Sequence, residues 1–253
     1  MRSARVRPRR RRTPKTKANE PTRPSAGGPI ADCPLCPRLV ALRRELRARE
    51  PAWQNAPVVD FGPRSARLLI AGLAPGLRGA NRTGRAFTGD DAGRMLFATL
   101  AQFGFCKGVY DARPDDGVEL IDCLVANVVR CVPPGNRPLP TEIAACRRFF
   151  LATIERMSEL RGIVALGRVA HESVLRALSI KLRDHPFAHG AEHRLSSNEL
   201  KRDLFLIDSY HCSRLNANTG TLTPEMFCAI FARARELLDR PSSNERLGPD
   251  DRR

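Results

Sequence analysis

The chain has few aromatic residues, few acids and no long apolar run. Phe, Tyr and Trp make up 6% of its 253 residues, with one Trp and two Tyr. Its longest apolar stretch, 68–77, is broken by Gly72, Pro75 and Gly76. That is well short of the ~18 residues a membrane-spanning helix needs. The arginines at the N-terminus have no apolar segment behind them, so no secretory signal is read there. Structural disulfides are therefore unexpected, although eight cysteines are present. A hydrophobic content of 42% is enough for a packed core and excludes wholesale disorder, as well as collagen-like and mucin-like chains.

What is abundant is positive charge: 43 Lys+Arg against 27 Asp+Glu, a formal +16. More than half of the excess lies in residues 1–24, with ten basic side chains and the single acid Glu20. Such a Pro-rich, apolar-poor segment cannot offset its ordering entropy by burial. Residues 1–31 are read as a disordered basic arm, residues 32–240 as one domain and 241–253 as a polar tail. The arm suits a polyanion, which makes nucleic acid the favoured partner class; a passive leader is the plainer alternative.

From residue 67 onward strands and helices alternate. Segments 67–73, 120–129, 162–166 and 204–209 are buried-type strands, and helical spacing marks 38–49, 91–103, 141–157 and 168–178. Thr223-Pro224-Glu225 is a helix start, with Thr at the N-cap and Pro at N1. The polar, His-containing stretch before residue 204 reads as a connector. The pattern predicts an α/β fold, a three-layer α/β/α sandwich around a mostly parallel four-stranded sheet. Sites in such sheets lie at the carboxyl ends of the strands.

Cys33-Pro34-Leu35-Cys36 has the spacing of two ligands to one metal centre, and Cys131 and Cys146 are the best candidates to complete it. Four thiolates suit zinc or an iron–sulfur cluster equally. Cys106, Cys123 and Cys228 read as small buried apolar side chains.

Three loops at strand ends carry unusual residues. The first is Gly72-Leu73-Ala74-Pro75-Gly76, running on to Asn81-Arg82-Thr83-Gly84-Arg85-Ala86-Phe87-Thr88-Gly89-Asp90. The second is Asn127-Val128-Val129-Arg130-Cys131 with Pro133-Pro134-Gly135-Asn136, and the third Ser209-Tyr210-His211-Cys212-Ser213 with Asn218-Thr219-Gly220. Each notable residue also has a plain structural role open to it: Asp90 as the N-cap of the next helix, Phe87 as core, Asn127 as a turn residue, His211 as a satisfied histidine.

With these motifs in their order from Cys33 to about Phe231, the sequence resembles the iron–sulfur uracil-DNA glycosylases of family 5, the B type. The resemblance implies removal of uracil from DNA by hydrolysis of its N-glycosidic bond in base excision repair, with hypoxanthine, xanthine and other altered bases as further substrates. It implies that Cys33, Cys36, Cys131 and Cys146 hold a 4Fe–4S cluster and that Phe87 stacks on a flipped base. Asp90 handles water or the developing cation, Asn127 faces the base, and His211 heads the motif after the last strand. Gly72 and Leu73 fall at the base site, and His189-Gly190 looks like the family's FxHG segment beside it. Leu73 stands where the narrower family 4 enzymes carry a Glu, which moves the carboxylate role to Asp90. Cys212 replaces the usual Pro, with a redox-sensitive thiol there as a minor alternative. The partner is DNA, damaged duplex or single-stranded, with no membrane. The chain is expected to act as a monomer in the cytoplasm, at the nucleoid through its DNA binding. Two competing readings are a non-catalytic 4Fe–4S DNA-binding redox sensor and a zinc-bearing fold acting on nucleotides.

Overall fold

A computed structural model describes residues 27–197, 200 and 202–240. The basic run 1–24 and the tail 241–253 lie outside the described residues. In chain order the elements are α1 (Pro37–Arg49), β1 (Leu68–Gly72), α2 (Ala80–Thr83), α3 (Asp91–Gln102), β2 (Cys106–Lys107), β3 (Glu119–Leu120), β4 (Cys123–Asn127), α4 (Pro140–Glu155), β5 (Gly162–Leu166), α5 (Arg168–Ala177), β6 (Glu192–Ser197), β7 (Arg202–Ser209), α6 (Arg214–Asn218) and α7 (Pro224–Asp239). None of these helices is long and apolar enough to cross a membrane.

The main sheet has the order β4-β1-β5-β7-β6. Its first four strands are parallel, with Leu68 opposite both Cys123 and Gly162, and Gly162 opposite Phe205. Strands β1, β4 and β5 are buried along their whole length, as expected for parallel strands covered on both faces. Alternate side chains feed two cores. Leu68 and Ile70 pack with Phe97, Leu100, Phe227 and Phe231 from α3 and α7. Leu69 and Ala71 pack with Phe150, Ile154 and Val174 from α4 and α5, and with Leu39 of α1. The three-layer α/β/α expectation holds.

The sheet has five strands rather than the expected four. The extra one, β6, pairs antiparallel with β7 inside the stretch read as a polar connector. In Glu192-His193-Arg194-Leu195-Ser196-Ser197 only Leu195 is apolar, and it is buried. A short, polar edge strand of this kind discourages pairing with other chains, and it lacks the apolar run by which strands are recognised in a sequence. The segment 120–129 is likewise not one strand. Asp122, at φ +57°, breaks it, leaving β3 in a two-stranded ribbon with β2, and the regular strand ends at Asn127. The Asp122 carboxylate bonds the backbone N–H and guanidinium of Arg67 at the foot of β1.

Thr223 caps α7 by accepting from the N–H of Met226 (3.2 Å). The parallel strands all point the same way, so Gly72, Asn127, Leu166 and Ser209 end on one edge of the sheet. The cavity described next opens there.

Candidate active site and four-cysteine centre

A cavity of about 340 Å³ is lined by Leu73, Gly76, Phe87, Asp90, Asn127 and His211, among others. All three loops singled out from the sequence contribute to it. Gly72, the register partner of Asn127, is not itself a lining residue but sits directly behind two that are. A Cβ on Gly72 would stand 2.5 Å from both Asn127 Oδ1 and the Phe87 ring, so only bare backbone lets these two side chains approach so closely. Asn127 is 3% exposed, and its Oδ1 is buried without a hydrogen-bond partner. A buried amide oxygen left in this state costs free energy unless a donor arrives from outside the chain.

Phe87 closes one side. Its backbone is left-handed (φ +52°), unusual for a bulky side chain. Its ring lies 6.3 Å from that of His211, at an interplanar angle of 29°. The turn is held by Tyr110, whose hydroxyl donates to the Phe87 carbonyl and accepts from the Gly89 N–H, both at 3.2 Å. Arg85, two residues earlier, is fixed by two 2.7 Å bonds to Asp116, and its guanidinium lies over Phe61, Phe97 and Tyr110. Tyr110 and Asp116 had no signal in the sequence, because both reach the motif from the loop between β2 and β3.

Asp90 is both an N-cap and a cavity residue. Its Oδ1 caps α3 by accepting from the Gly93 N–H (3.1 Å), and the side chain also lines the cavity. A Cβ on Gly79 would collide with Oδ2, so this oxygen is accommodated by a residue without a side chain. Burial is the main influence raising its pKa, opposed by the Gly93 N–H. Burial lowers the pKa of His211, so its ring is neutral at pH 7. The His211 carbonyl is held by the Asn216 side-chain amide (2.8 Å). Cys212 is 1% exposed, and burial, with Asp90's charge second, pushes its thiol up to about 12. A thiol in that state is inert rather than redox-sensitive.

His189 is not among the lining residues. It stacks on Tyr210 (5.0 Å between centroids), and its Nδ1 accepts from the Tyr210 N–H (3.1 Å). It therefore braces the residue before His211.

Cys33, Cys36, Cys131 and Cys146 line a second, separate pocket between α1, the loop after β4, and α4. None of the four is in a disulfide. The donor set suits a metal–thiolate group. The backbone N–H of Arg130 points at Cys146 Sγ (3.3 Å) and the guanidinium of Arg43 at Cys131 Sγ (3.7 Å); such bonds favour a negatively charged sulfur. Burial pushes the Cys131 and Cys146 thiols up to about 12 and 11, so ionising both calls for a nearby positive centre. Cys106 and Cys123 are buried as read, whereas Cys228 is half-buried with its thiol on Gln102.

Residues 59–235 match the family described as the Uracil DNA glycosylase superfamily. The chain belongs to this superfamily. It is 42% identical over 214 residues to the type-5 uracil-DNA glycosylase of Thermus thermophilus, covering 82% of this chain and 94% of the relative. It is 39% identical over 217 residues to the type-5 enzyme of Mycobacterium tuberculosis, covering 82% and 79%. The type-4 uracil-DNA glycosylase of Thermotoga maritima is 38% identical, but over only 114 residues, covering 45% of this chain and 51% of the relative. The similarity to the type-5 glycosylases accords with Leu73, which lines the cavity where a type-4 chain was expected to carry Glu. Within this glycosylase-superfamily cavity, Asn136, Ala92, Ser213 and Arg214 are lining residues that the motifs did not assign a role.

Proposed function

We propose that the protein is a monofunctional DNA glycosylase that hydrolyses the N-glycosidic bond of uracil in DNA, in base excision repair, by drawing the flipped base into the cavity between Asn127 and Phe87. The observation that carries this reading is the orphaned Oδ1 of Asn127. The Watson–Crick edge of uracil offers an N–H donor, and an amide can both accept from that group and donate to the carbonyl beside it. Phe87 supplies the face on which the base lies. Its ring is set by a strained turn, so the stacking surface exists before the base arrives.

Breaking the bond leaves positive charge on the sugar and negative charge on the base. The Asp90 carboxylate suits the first, orienting a water with Oδ2 while Oδ1 stays bonded to Gly93. The neutral imidazole of His211 suits the second, as a hydrogen-bond donor to the departing base. Among the described residues no lysine lines the cavity, so no Schiff-base lyase step follows. Leu215, 71% exposed on α6, would enter the space left in the duplex, and Arg214, which lines the cavity, would meet a phosphate.

Cys33, Cys36, Cys131 and Cys146 would hold a 4Fe–4S cluster, clipping the segment before α1 to the loop after β4 across the 94 residues between Cys36 and Cys131. A donor set of four thiolates suits such a cluster.

The test is abasic-site formation in duplex and single-stranded oligonucleotides carrying uracil, hypoxanthine or xanthine. Uracil is expected to be released, and Asn127→Ala and Asp90→Asn to lower single-turnover release on the order of a hundredfold or more. No abasic site from any substrate would overturn the catalytic reading and leave a non-catalytic DNA-binding protein.

A further inference from the structure

Helix α1 turns Leu39, Arg43 and Leu46 inward along one face. Two of these are ordinary core residues, but Arg43 carries a guanidinium that is only 4% exposed. Among the described residues it has no carboxylate partner. It donates to the Cys33 carbonyl (2.9 Å) and to Cys131 Sγ (3.7 Å), and its buried Nε has no partner. Asp32, whose charge feels Arg43, is exposed and bonded to Arg47 instead. The two other buried arginines are ion-paired, Arg85 with Asp116 and Arg130 with Asp60.

A buried charge without a counter-charge is strongly destabilising, and neutral thiols provide none. Arg43 lines the four-cysteine pocket itself. An anion seated there would meet the guanidinium directly, and a cluster bound by four thiolates is such an anion.

We propose that Arg43 is the fixed counter-charge of an anionic metal–thiolate group held by Cys33, Cys36, Cys131 and Cys146. It stabilises the more negative, reduced form over the oxidised one and slows loss of the metal. This rests on the iron–sulfur reading and adds to it a residue that sets the group's potential, since nearby charge and hydrogen bonds to sulfur are the main protein levers on that potential.

The experiment compares the iron-loaded full chain with Arg43→Met, which keeps most of the volume, and with Arg43→Lys, which keeps the charge. Two quantities are read: the midpoint potential by spectroelectrochemistry, and the rate at which a chelator bleaches the visible absorbance. Arg43→Met is expected to have a more negative potential and to bleach several-fold faster, with Arg43→Lys near wild type in potential. A loaded Arg43→Met protein with unchanged potential and bleaching would overturn the proposal, even if its Tm falls. If Arg43→Met cannot be loaded, loading of Arg43→Lys supports the role of charge, and failure of both assigns Arg43 to packing and overturns it. A wild-type protein without iron would overturn the iron–sulfur reading itself and the proposal with it.

Discussion

The hydroxyl of Tyr110 donates to the carbonyl of Phe87 across 3.2 Å, fastening the aromatic residue of the cavity in a left-handed backbone turn. The Tyr110 ring is independently seated on Phe97, with centroids 4.5 Å apart. Tyr110→Phe therefore removes the fastening and keeps the packing. The expected cost is about 1 kcal/mol in stability, the usual worth of one hydrogen bond, with a several-fold slower single-turnover release of uracil. Binding to undamaged duplex should stay the same, which a fluorescence titration beside the cleavage assay checks.

Asp90 links activity and stability in opposite directions. Its folded pKa is raised above the ordinary 3.8 by burial, so the native state holds its proton more tightly than the unfolded chain does. Stability from this group is present below pH 3.8 and is lost as the pH rises through the folded pKa. Asp90→Asn should thus raise Tm at pH 7, because Asn is as good an N-cap, while abolishing most activity. In the wild type the rate should fall as pH drops through that same raised pKa. His211, lowered below 6.5 by burial, should add no limb above pH 7. A pH profile of single-turnover rates for both proteins, with their melting curves, tests this.

Asp116 behaves in the reverse sense. Burial works against its ionisation, but the Arg85 hydrogen bonds and the N–H groups of Asp111 and Val118 outweigh it and hold the carboxyl at about 2. Its contribution is present above pH 3.8 and is lost as pH falls towards 2, roughly 2 kcal/mol in all. Urea unfolding between pH 5 and 2 should show this loss in the wild type and not in Asp116→Asn. The variant should already be destabilised at pH 7, because Arg85 is left among Phe61, Phe97 and Tyr110 without its anion.

The ten basic residues among the first 24 should act through phosphates and carry no sequence information. Deleting residues 1–24 should weaken binding to damaged and undamaged duplex by a similar factor. The slope of log affinity against log salt should become shallower by up to ~0.9 for each phosphate that the arm no longer neutralises. Single-turnover release at saturating enzyme should hardly change. A salt slope identical in the two proteins would make the segment a passive leader.

Elements whose signal is local were legible in the sequence. Gly162–Leu166 reads as a strand from its apolar run, and Thr223-Pro224 reads as a helix start from capping chemistry. Strand β6 was not legible, since one buried Leu195 in six residues leaves no pattern. Nor was the break at Asp122, which depends on a partner, Arg67, 55 residues away. At the site, the motifs located Asp90, Asn127, Phe87 and His211. Asp90 caps α3 and lines the cavity at once, so its place as a cap does not remove it from the site. The contact of His189 with Tyr210 cannot be read from spacing. Tyr110, Asp116 and Arg43 look like any surface residues until the fold brings their partners to them.

The strand order β4-β1-β5-β7-β6 also bears on how the protein is made on the ribosome. Strands β1 and β4, all four cysteines, Phe87 and Asp90 lie within the first 155 residues. Strand β5 and then the β6–β7 pair add to the free side of β1. A nascent chain can therefore pair Gly72 with Asn127 and gather its thiols before the segment bearing His211 has been synthesised. In this order the four thiols can come together on a half-built sheet, and the cavity stays incomplete until the last parallel strand docks.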